Sequence, residues 1–228
     1  MDRNFKIRLV VGVAMFIVAV FALYYHDGIL FKFLYALFAT VAMVELFSFF
    51  KKKTNGLASF LAILEIVFLI WSAIFVVNIN LQQAWYIILG VPGYDVFAYL
   101  FGKKFGGKIF KQSRPFPHIS KNKTWEGTIS GLVIAILLVT IKMCIDGDFA
   151  TDWMFLLCGP LALLGDLFES YLKRRFNIKD SNEIIIKNKF FSKLEILVGG
   201  SDGHGGFLDR IDSTAFTCAI FLVITSLI

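Results

Sequence analysis

Charged residues and cysteines are both scarce in this chain. Lys, Arg, Asp and Glu make up 18% of the 228 residues, whereas a soluble domain carries about 25%. The three cysteines, Cys144, Cys158 and Cys218, show no CxxC or Cys/His spacing, so they indicate neither a disulfide framework nor a redox compartment. We expect them to pack as small hydrophobic side chains. A soluble domain, a low-complexity linker and internal repeats are also missing from the pattern.

Long apolar blocks take the place of these features. Hydrophobic residues make up 57% of the chain, and the mean hydropathy is +0.73. A helix needs about 20 apolar residues to cross the bilayer. The sequence therefore predicts an all-α, polytopic integral membrane protein with about seven transmembrane helices, at residues 7–24, 29–50, 57–77, 84–101, 128–145, 152–172 and 207–228. The first block lacks a clear cleavage site for a signal peptide, so we expect an uncleaved helix.

The distribution of lysine and arginine predicts the orientation. With the N-terminus in the cytoplasm, nearly all basic residues fall on one side of seven helices, as the positive-inside rule requires. Only Lys32 and Lys142 lie near the other face, both at helix ends. We divide the chain into N-terminal transmembrane helices, 1–83, and a catalytic region, 84–228, with basic cytoplasmic loops at 102–127 and 173–206. The net charge of +6 is then explained by topology and anionic headgroups, and we expect no nucleic-acid partner.

Carboxylates occur within or at the edge of the predicted spans, where each costs at least about 2.5 kcal/mol without a partner, metal or water-filled cavity. Glu45 and Glu65 stand alone on their helices, and structural and functional roles are equally open for them. The other four have polar neighbours: Asp95, Asp166, Asp209 and Asp212.

Two segments combine these acids with cations. On a helix, positions i, i+3, i+4, i+7 and i+8 form one stripe, here Asp166, Glu169, Ser170, Lys173 and Arg174. An ion ladder explains the basic end of the stripe but not an acid as deep as Asp166. The second segment, 199–213, is a glycine-rich run that leads into Asp209, Arg210 and Asp212. Glycines before a helix favour anion binding, and paired carboxylates beside them indicate Mg²⁺.

A third segment is less distinctive. It contains Asp95 and Tyr99 and continues through Ser120, Lys123 and Thr124. Lysine, serine and threonine among glycines can bind phosphate, but an inert juxtamembrane loop has the same composition.

Together these segments resemble the phosphatidate cytidylyltransferases, also called CDP-diacylglycerol synthases. Residues 170–174 and 179–181 followed by 204–212 are similar to the family's S-x-x-K-R-x4-K-D-S and H-G-G-x-x-D-R-x-D motif. Residues 119–127 resemble I-S-P-K-K-T-W-E-G, and 95–102 resemble D-x-x-A-Y-x-x-G. The chain departs from the pattern at Lys121, Asn122 and Asp202, and by an insertion that includes residues 182–198.

The resemblance implies that CTP and phosphatidate give CDP-diacylglycerol and pyrophosphate, with Mg²⁺ or another divalent cation as cofactor. The catalytic residues would be Asp166, Lys173, Arg174, Asp209, Arg210 and Asp212, and the metal ligands Asp166, Asp209 and Asp212. The substrate-binding residues would be Asp95, Ser120, Lys123, Thr124, Ser170, Lys179, Asp180, His204, Gly205 and Gly206. No general base is expected, since a phosphate nucleophile is already ionised at neutral pH.

Two other functions remain open at this point. A CTP-dependent lipid kinase would need similar metals and basic loops, and a non-enzymatic ion transporter would also keep carboxylates at membrane depth. The expected partners are CTP, phosphatidate and the bilayer, and a homodimer is an open alternative to a monomer. We expect a bacterial inner membrane, with the active site facing the cytoplasm.

Overall fold

The computed structural model of the chain describes residues 17–50, 56–111, 114–147, 152–178 and 207–227, apart from the side chains of His26 and Asp27. Several predictions therefore fall outside the described residues. These are most of the first predicted helix, the insertion at 182–198, and five predicted substrate-binding residues: Lys179, Asp180, His204, Gly205 and Gly206.

Six long helices form the described part of the chain, and no strand occurs in it. They are α1 (Ile29–Phe49), α2 (Gly56–Asn78), α3 (Leu81–Phe105), α4 (Trp125–Asp146), α5 (Cys158–Arg175) and α6 (Leu208–Leu227). Residues 17–24 are also helical, and 3₁₀ turns cover Tyr25–Gly28 and Trp153–Leu157. Six helical segments are long and apolar enough to cross a membrane, the fifth being α5 together with its preceding 3₁₀ turn. The all-α polytopic fold is confirmed, while the count of seven and the cytoplasmic N-terminus stay predictions.

The helix α3 confirms the predicted span 84–101 and is longer than predicted. Although it contains Gly90, Pro92 and Gly93, α3 runs without interruption from Leu81 to Phe105. A capping box at Asn80 starts the helix, because its side chain accepts the Gln83 backbone N–H at 2.8 Å. Within membranes, neighbouring helices commonly compensate for an internal proline, which explains why Pro92 is tolerated.

The helices alternate in direction, so the bundle has two ends. We call the "site end" the one that carries the last turns of α1, α3 and α5 and the first turns of α2, α4 and α6. Contacts between chain-distant residues define both ends. At the site end Glu45 of α1 accepts hydrogen bonds from the start of α6, and at the opposite end Lys32 donates to the carbonyl of Val77 at 2.8 Å.

Aromatic and aliphatic side chains fill the interior of the bundle. Phe155 and Phe221 lie edge to face at 4.9 Å between ring centroids, and both are fully buried. Large apolar side chains also point outwards; Phe33 is 64% exposed and Val133 is 58% exposed. Such outward apolar surfaces suit contact with lipid hydrocarbon.

Glycines allow α3 and α4 to approach closely. A Cβ atom added at Gly131 would lie 2.9 Å from the carbonyl oxygen of Tyr94, and one at Gly127 would overlap the carbonyl oxygen of Ala98. Small residues four apart on a helix permit this backbone contact in membrane bundles. The close packing brings the predicted substrate-binding segments on α3 and before α4 together at the site end.

Candidate active site

A cavity of about 410 Å³ opens at the site end between α3, α4 and the segment that precedes α4. Its volume is within the usual range for small-molecule sites, about 300–1,000 Å³. Predicted site residues from three parts of the chain line it: Asp95, Ser120, Lys123, Thr124 and Asp166. The structure therefore brings the weakest of the three sequence segments together with the acidic stripe on α5.

Lys123 and Asp166 form an ion pair at this cavity. The Lys123 side chain is 14% exposed, and that of Asp166 is 33% exposed. The ammonium group also lies 3.5 Å from the Tyr94 hydroxyl and 5.5 Å from the centre of the Tyr94 ring. A lysine held by a carboxylate and an aromatic face is positioned toward the cavity rather than free to move in solvent.

The surroundings of Lys123 keep it charged. Burial opposes its charged form, but the negative charge of Asp166, with smaller contributions from Tyr94 and Asp95, has the greater combined effect and raises the pKa of Lys123 above its usual value. Lys123 therefore stays charged at neutral pH and gives the cavity a cationic group that can bind phosphate.

A second ionic cluster joins α5 to α6. Lys173 Nζ lies 2.6 Å from Glu169 Oε2 and 2.8 Å from Asp209 Oδ1. Glu169 is buried, and its other oxygen has no hydrogen-bond partner among the described residues. The ion ladder considered for α5 is therefore present as the pair of Lys173 with Glu169. Lys173 also pairs with Asp209 on α6, so the ladder extends to a second helix.

The three aspartates predicted as metal ligands are divided between these two groups. Asp166 pairs with Lys123 and Asp209 belongs to the Lys173 cluster, whereas Asp212 is buried near the charges of Asp166, Asp95 and Lys173. Asp95 is exposed to the cavity, which it lines together with Asp166. Asp95 was predicted only as a substrate-binding residue, yet it shares the cavity with Asp166. Asp209, a predicted metal ligand, does not line that cavity.

The carboxylates at the cavity fit one mode of Mg²⁺ binding. Among the residues that the structure describes, no group of three or more His, Cys, Asp or Glu side chains is arranged to hold a metal ion. Mg²⁺ commonly binds through one or two carboxylates together with waters and substrate phosphates. Asp95 and Asp166 present carboxylate oxygens to the cavity and suit that mode.

Two side chains shape the entrance of α4. Thr124 caps this helix by accepting the Gly127 backbone N–H at 3.2 Å, so its hydroxyl has a structural contact in addition to its place in the cavity wall. Glu126 Oε1 accepts the backbone N–H groups of Ile109 and Phe110, each at 3.1 Å. These bonds tie the turn after α3 to the first turn of α4.

The remaining predicted residues have less direct positions. Ser170 Oγ lies 3.5 Å from Asp166 Oδ1, at the limit of a hydrogen bond. Arg210 is half-buried in the first turn of α6, and Arg174 is exposed and has no ion pair with a described residue. Arg174 is thus outside both ionic clusters as the structure describes them.

Sequence reasoning missed several cavity residues. Tyr94, Asn122 and Thr128 line the cavity, and each directly adjoins a motif residue that was predicted. Glu126 was quoted within a motif without a role. Tyr94 could have been found from helix periodicity, since positions 94, 95, 98, 99 and 102 share one face of a helix. The contact of that face with residues 120–128 depends on tertiary packing.

The fold and the site define a polytopic helical membrane protein with an acidic and basic cavity at one end. The sequence model described as the Cytidylyltransferase family matches residues 79–187. That range includes Asp95, the 119–127 segment, Asp166 and Lys173, but it stops before Asp209 and Asp212.

Individual relatives agree with this match. The chain is 37% identical over 143 residues to a phosphatidate cytidylyltransferase of Rickettsia bellii, covering 58% of this chain and 53% of the relative. It is 39% identical over 118 residues to that of Helicobacter pylori, strain 26695, and 38% identical over 120 residues to that of Bacillus subtilis; each match covers 50% of this chain and 38% of the relative. The chain spans about half or less of the length of these curated relatives. No solved structure matches it. The resemblance recognised from the motifs is confirmed.

Proposed function

We propose that the protein transfers a cytidylyl group from CTP to phosphatidate, giving CDP-diacylglycerol and pyrophosphate. The observation that carries this proposal is the cavity in which Lys123 pairs with Asp166 beside Asp95 and Ser120. All of these residues lie within 79–187, the part of the chain that matches the cytidylyltransferase model.

The reaction places specific demands on such a site. A phosphate oxygen of phosphatidate attacks the α-phosphorus of CTP, and the bond from that phosphorus to the oxygen bridging to the β-phosphate breaks. The bridging oxygen leaves with the β- and γ-phosphates as pyrophosphate. Both reactants are strongly anionic, so catalysis depends mainly on positioning and charge neutralisation.

The chain's own residues supply these two effects. Lys123 carries a fixed positive charge into the cavity and would bind a phosphate of CTP or phosphatidate. Lys173, held by Glu169 and Asp209, would neutralise charge from the α5 and α6 side. Hydroxyl and amide groups of Ser120, Asn122 and Thr128 can donate hydrogen bonds to phosphate or nucleotide oxygens.

Asp95 and Asp166 would hold Mg²⁺ or another divalent cation, with Asp212 adding negative charge nearby. When bound, this ion would supply positive charge that offsets the negative charge of the phosphates. Asp166 would also orient Lys123 through their ion pair.

The test is turnover by the purified protein in detergent or vesicles with CTP, phosphatidate and Mg²⁺. We expect CDP-diacylglycerol and pyrophosphate in equal amounts. Release of CDP with a phosphorylated lipid alcohol would instead identify a lipid kinase, and ion flux without nucleotide would identify a transporter.

We also propose a bacterial inner membrane with the site end in the cytoplasm. The basic residues of the loop at 102–127 support this orientation, and the bacterial origin of the relatives supports a bacterial membrane. A Lys111→Cys variant in a Cys144→Ser background tests it, because Lys111 and Cys144 are exposed near opposite ends of the bundle. In intact cells, an impermeant thiol reagent should leave residue 111 unmodified until the membrane is permeabilised; modification before then would contradict the orientation.

A further inference from the structure

Glu45 is a carboxylate buried deep in α1, outside the part of the chain that matches the cytidylyltransferase model. Its side chain contacts α6, which is 162 residues further along the chain. Oε1 accepts the backbone N–H of Phe207 at 2.8 Å, and Oε2 accepts that of Leu208 at 2.9 Å. Both bonds are buried, and Glu45 is only 1% exposed.

The two N–H groups lie at the start of α6. The first turn of a helix has N–H groups without partners inside the helix, and its positive end favours a negative charge. Glu45 therefore binds the start of α6 through two charge-assisted hydrogen bonds. Phe38, also on α1, packs against Phe207 with 5.4 Å between ring centroids, so this end of α6 is held by a polar and an apolar contact.

Asp209 follows immediately after the bonded residues, and Asp212 is three positions later. Asp209 is also tied to Lys173 of α5, while the charge of Asp212 interacts with Asp166. A helix start held on one side by α1 and on the other by α5 has little freedom to rotate about its axis. Rotation of this turn would move both aspartates relative to the cavity.

We propose that Glu45 is a positioning residue for the reaction: it sets the orientation of the first turn of α6 and thereby the places of Asp209 and Asp212. Through this contact the N-terminal helices become part of the functional unit. The inference rests on the proposed function for its catalytic consequence, whereas its structural part can be tested independently.

Glu65 provides a matched control. It is a second membrane-depth glutamate, lies on the neighbouring helix α2 and is also 1% exposed. No described hydrogen bond joins it to Phe207 or Leu208, whose N–H groups are both bound by Glu45. Removing its charge should therefore test the general effect of changing a buried carboxylate without altering the start of α6.

The experiment compares Glu45→Ala, Glu45→Gln and Glu65→Gln with the wild-type protein. Steady-state kinetics would give kcat and KM for CTP and phosphatidate, and hydrogen exchange would follow the amides of residues 207–212. For Glu45→Ala we expect kcat to fall about 100-fold, since a displacement of about 1 Å at a reacting centre can cost that much. KM should change less than threefold, because Lys123 and Ser120 stay in place.

Glu45→Gln keeps one oxygen that can accept one of the two bonds, so its kcat should fall between those of the wild type and Glu45→Ala. The amides of residues 207–212 should exchange faster than in the wild type in both Glu45 variants. In Glu65→Gln their exchange rates should equal those of the wild type. Glu65→Gln should also keep kcat near the wild-type value.

Three results would overturn the proposal. They are a wild-type kcat in folded Glu45→Ala, a loss confined to KM, and a loss of activity without faster exchange at 207–212. If Glu45→Ala does not fold, Glu45→Gln decides the matter, and global unfolding of both variants would assign Glu45 to stability alone. If the wild type makes no CDP-diacylglycerol, the proposed function fails, while the exchange measurement still tests the positioning of α6.

Discussion

At the end of the bundle opposite the site, polar side chains satisfy one another. Lys142 donates to both oxygens of Asp146 at 2.5 Å, the Tyr86 hydroxyl donates to Asp146 at 3.0 Å, and Gln83 donates to Asp152 at 3.1 Å. At the site end two described aspartates stay outside the ion pairs. Lys123 pairs with Asp166, and Lys173 pairs with Glu169 and Asp209, whereas no ion pair among the described residues includes Asp95 or Asp212.

This difference separates two uses of charge in one membrane protein. The contacts of Asp146 connect α3 and α4 and leave its charge neutralised, as a structural clasp requires. At the site end, two acids that line the cavity, Asp95 and Asp166, favour binding of an external cation, while the lysines that line it, Lys103 and Lys123, favour binding of an anion. A site that binds both suits a metal-dependent reaction of phosphates.

Replacing one acid at each end should give the largest difference in kcat between the two ends. We expect Asp166→Asn to lower kcat by about 100-fold or more, the usual scale for removing a preorganised electrostatic group. Asp146→Asn, the matched change at the opposite end, should keep kcat within about twofold. Pyrophosphate release measures both variants. Full activity of Asp166→Asn would contradict its role, and an equal loss in Asp146→Asn would remove the distinction between the ends.

A comparison of lysines should give a smaller effect. Lys123→Gln should lower kcat/KM for CTP about tenfold to 100-fold, because a hydrogen bond to a charged group contributes about 1.5–3 kcal/mol. Lys142→Gln should leave kcat/KM unchanged. Equal values for Lys123→Gln and the wild type would exclude a role for Lys123 in substrate binding.

The pH dependence sharpens the assignment of Lys123. Its pKa is raised in the folded protein, so its ion pair contributes fully below the unfolded pKa of about 10.4 and is lost only as pH rises through the higher folded pKa. The activity ratio of wild type to Lys123→Gln should therefore be constant between about pH 6 and 9. A ratio that falls within this range would show that Lys123 loses its proton there.

Packing between α3 and α4 should affect stability more than chemistry. Gly127→Ala places a methyl group against the Ala98 carbonyl, and overpacking of this kind costs about 1–3 kcal/mol of unfolding free energy. Gly56→Ala is the control, since nothing lies within 4 Å of an added Cβ there. Thermal unfolding in detergent measures both; an unchanged melting temperature for Gly127→Ala would show that the two helices can separate without cost.

The smallest expected effect is at the opposite end. Tyr86→Phe removes the hydrogen bond to Asp146 and should lower stability by about 1 kcal/mol with kcat unchanged. The same unfolding and turnover assays apply, and a tenfold loss of kcat would show that this end also influences the reaction.

Much of the fold was predictable because apolar block length directly reflects bilayer thickness. The spans of α1, α2, α4, α5 and α6 agree with their predicted blocks to within a few residues, apart from the N-terminal 3₁₀ turn of α5. The predicted span 84–101 is likewise confirmed by α3, which continues through Gly90 and Pro92 and is a few residues longer at each end. Cys158 and Cys218 are buried as expected, but Cys144 is exposed.

The sequence predicted which residues belong to the site better than it predicted how they are paired. The motifs identified Asp95, Lys123, Asp166 and Lys173, all of which the structure places in the cavity or in the ionic clusters. They did not show that Asp166 pairs with Lys123, or that Asp209 faces Lys173. These pairs join separate helices, and spacing along one helix contains no information about which residues of another helix lie opposite.

Glu45 shows where the two kinds of information divide. The sequence alone determined that this chain consists of membrane-length helices with acids that need partners, because hydrophobic length and the cost of burying charge are local properties. Only the tertiary structure decided what each partner is. Glu45 meets the start of α6 across 162 residues of chain, and Glu65 on the next helix does not. Since both glutamates occupy similar apolar surroundings in sequence, only the packing of α1 against α6 could distinguish them.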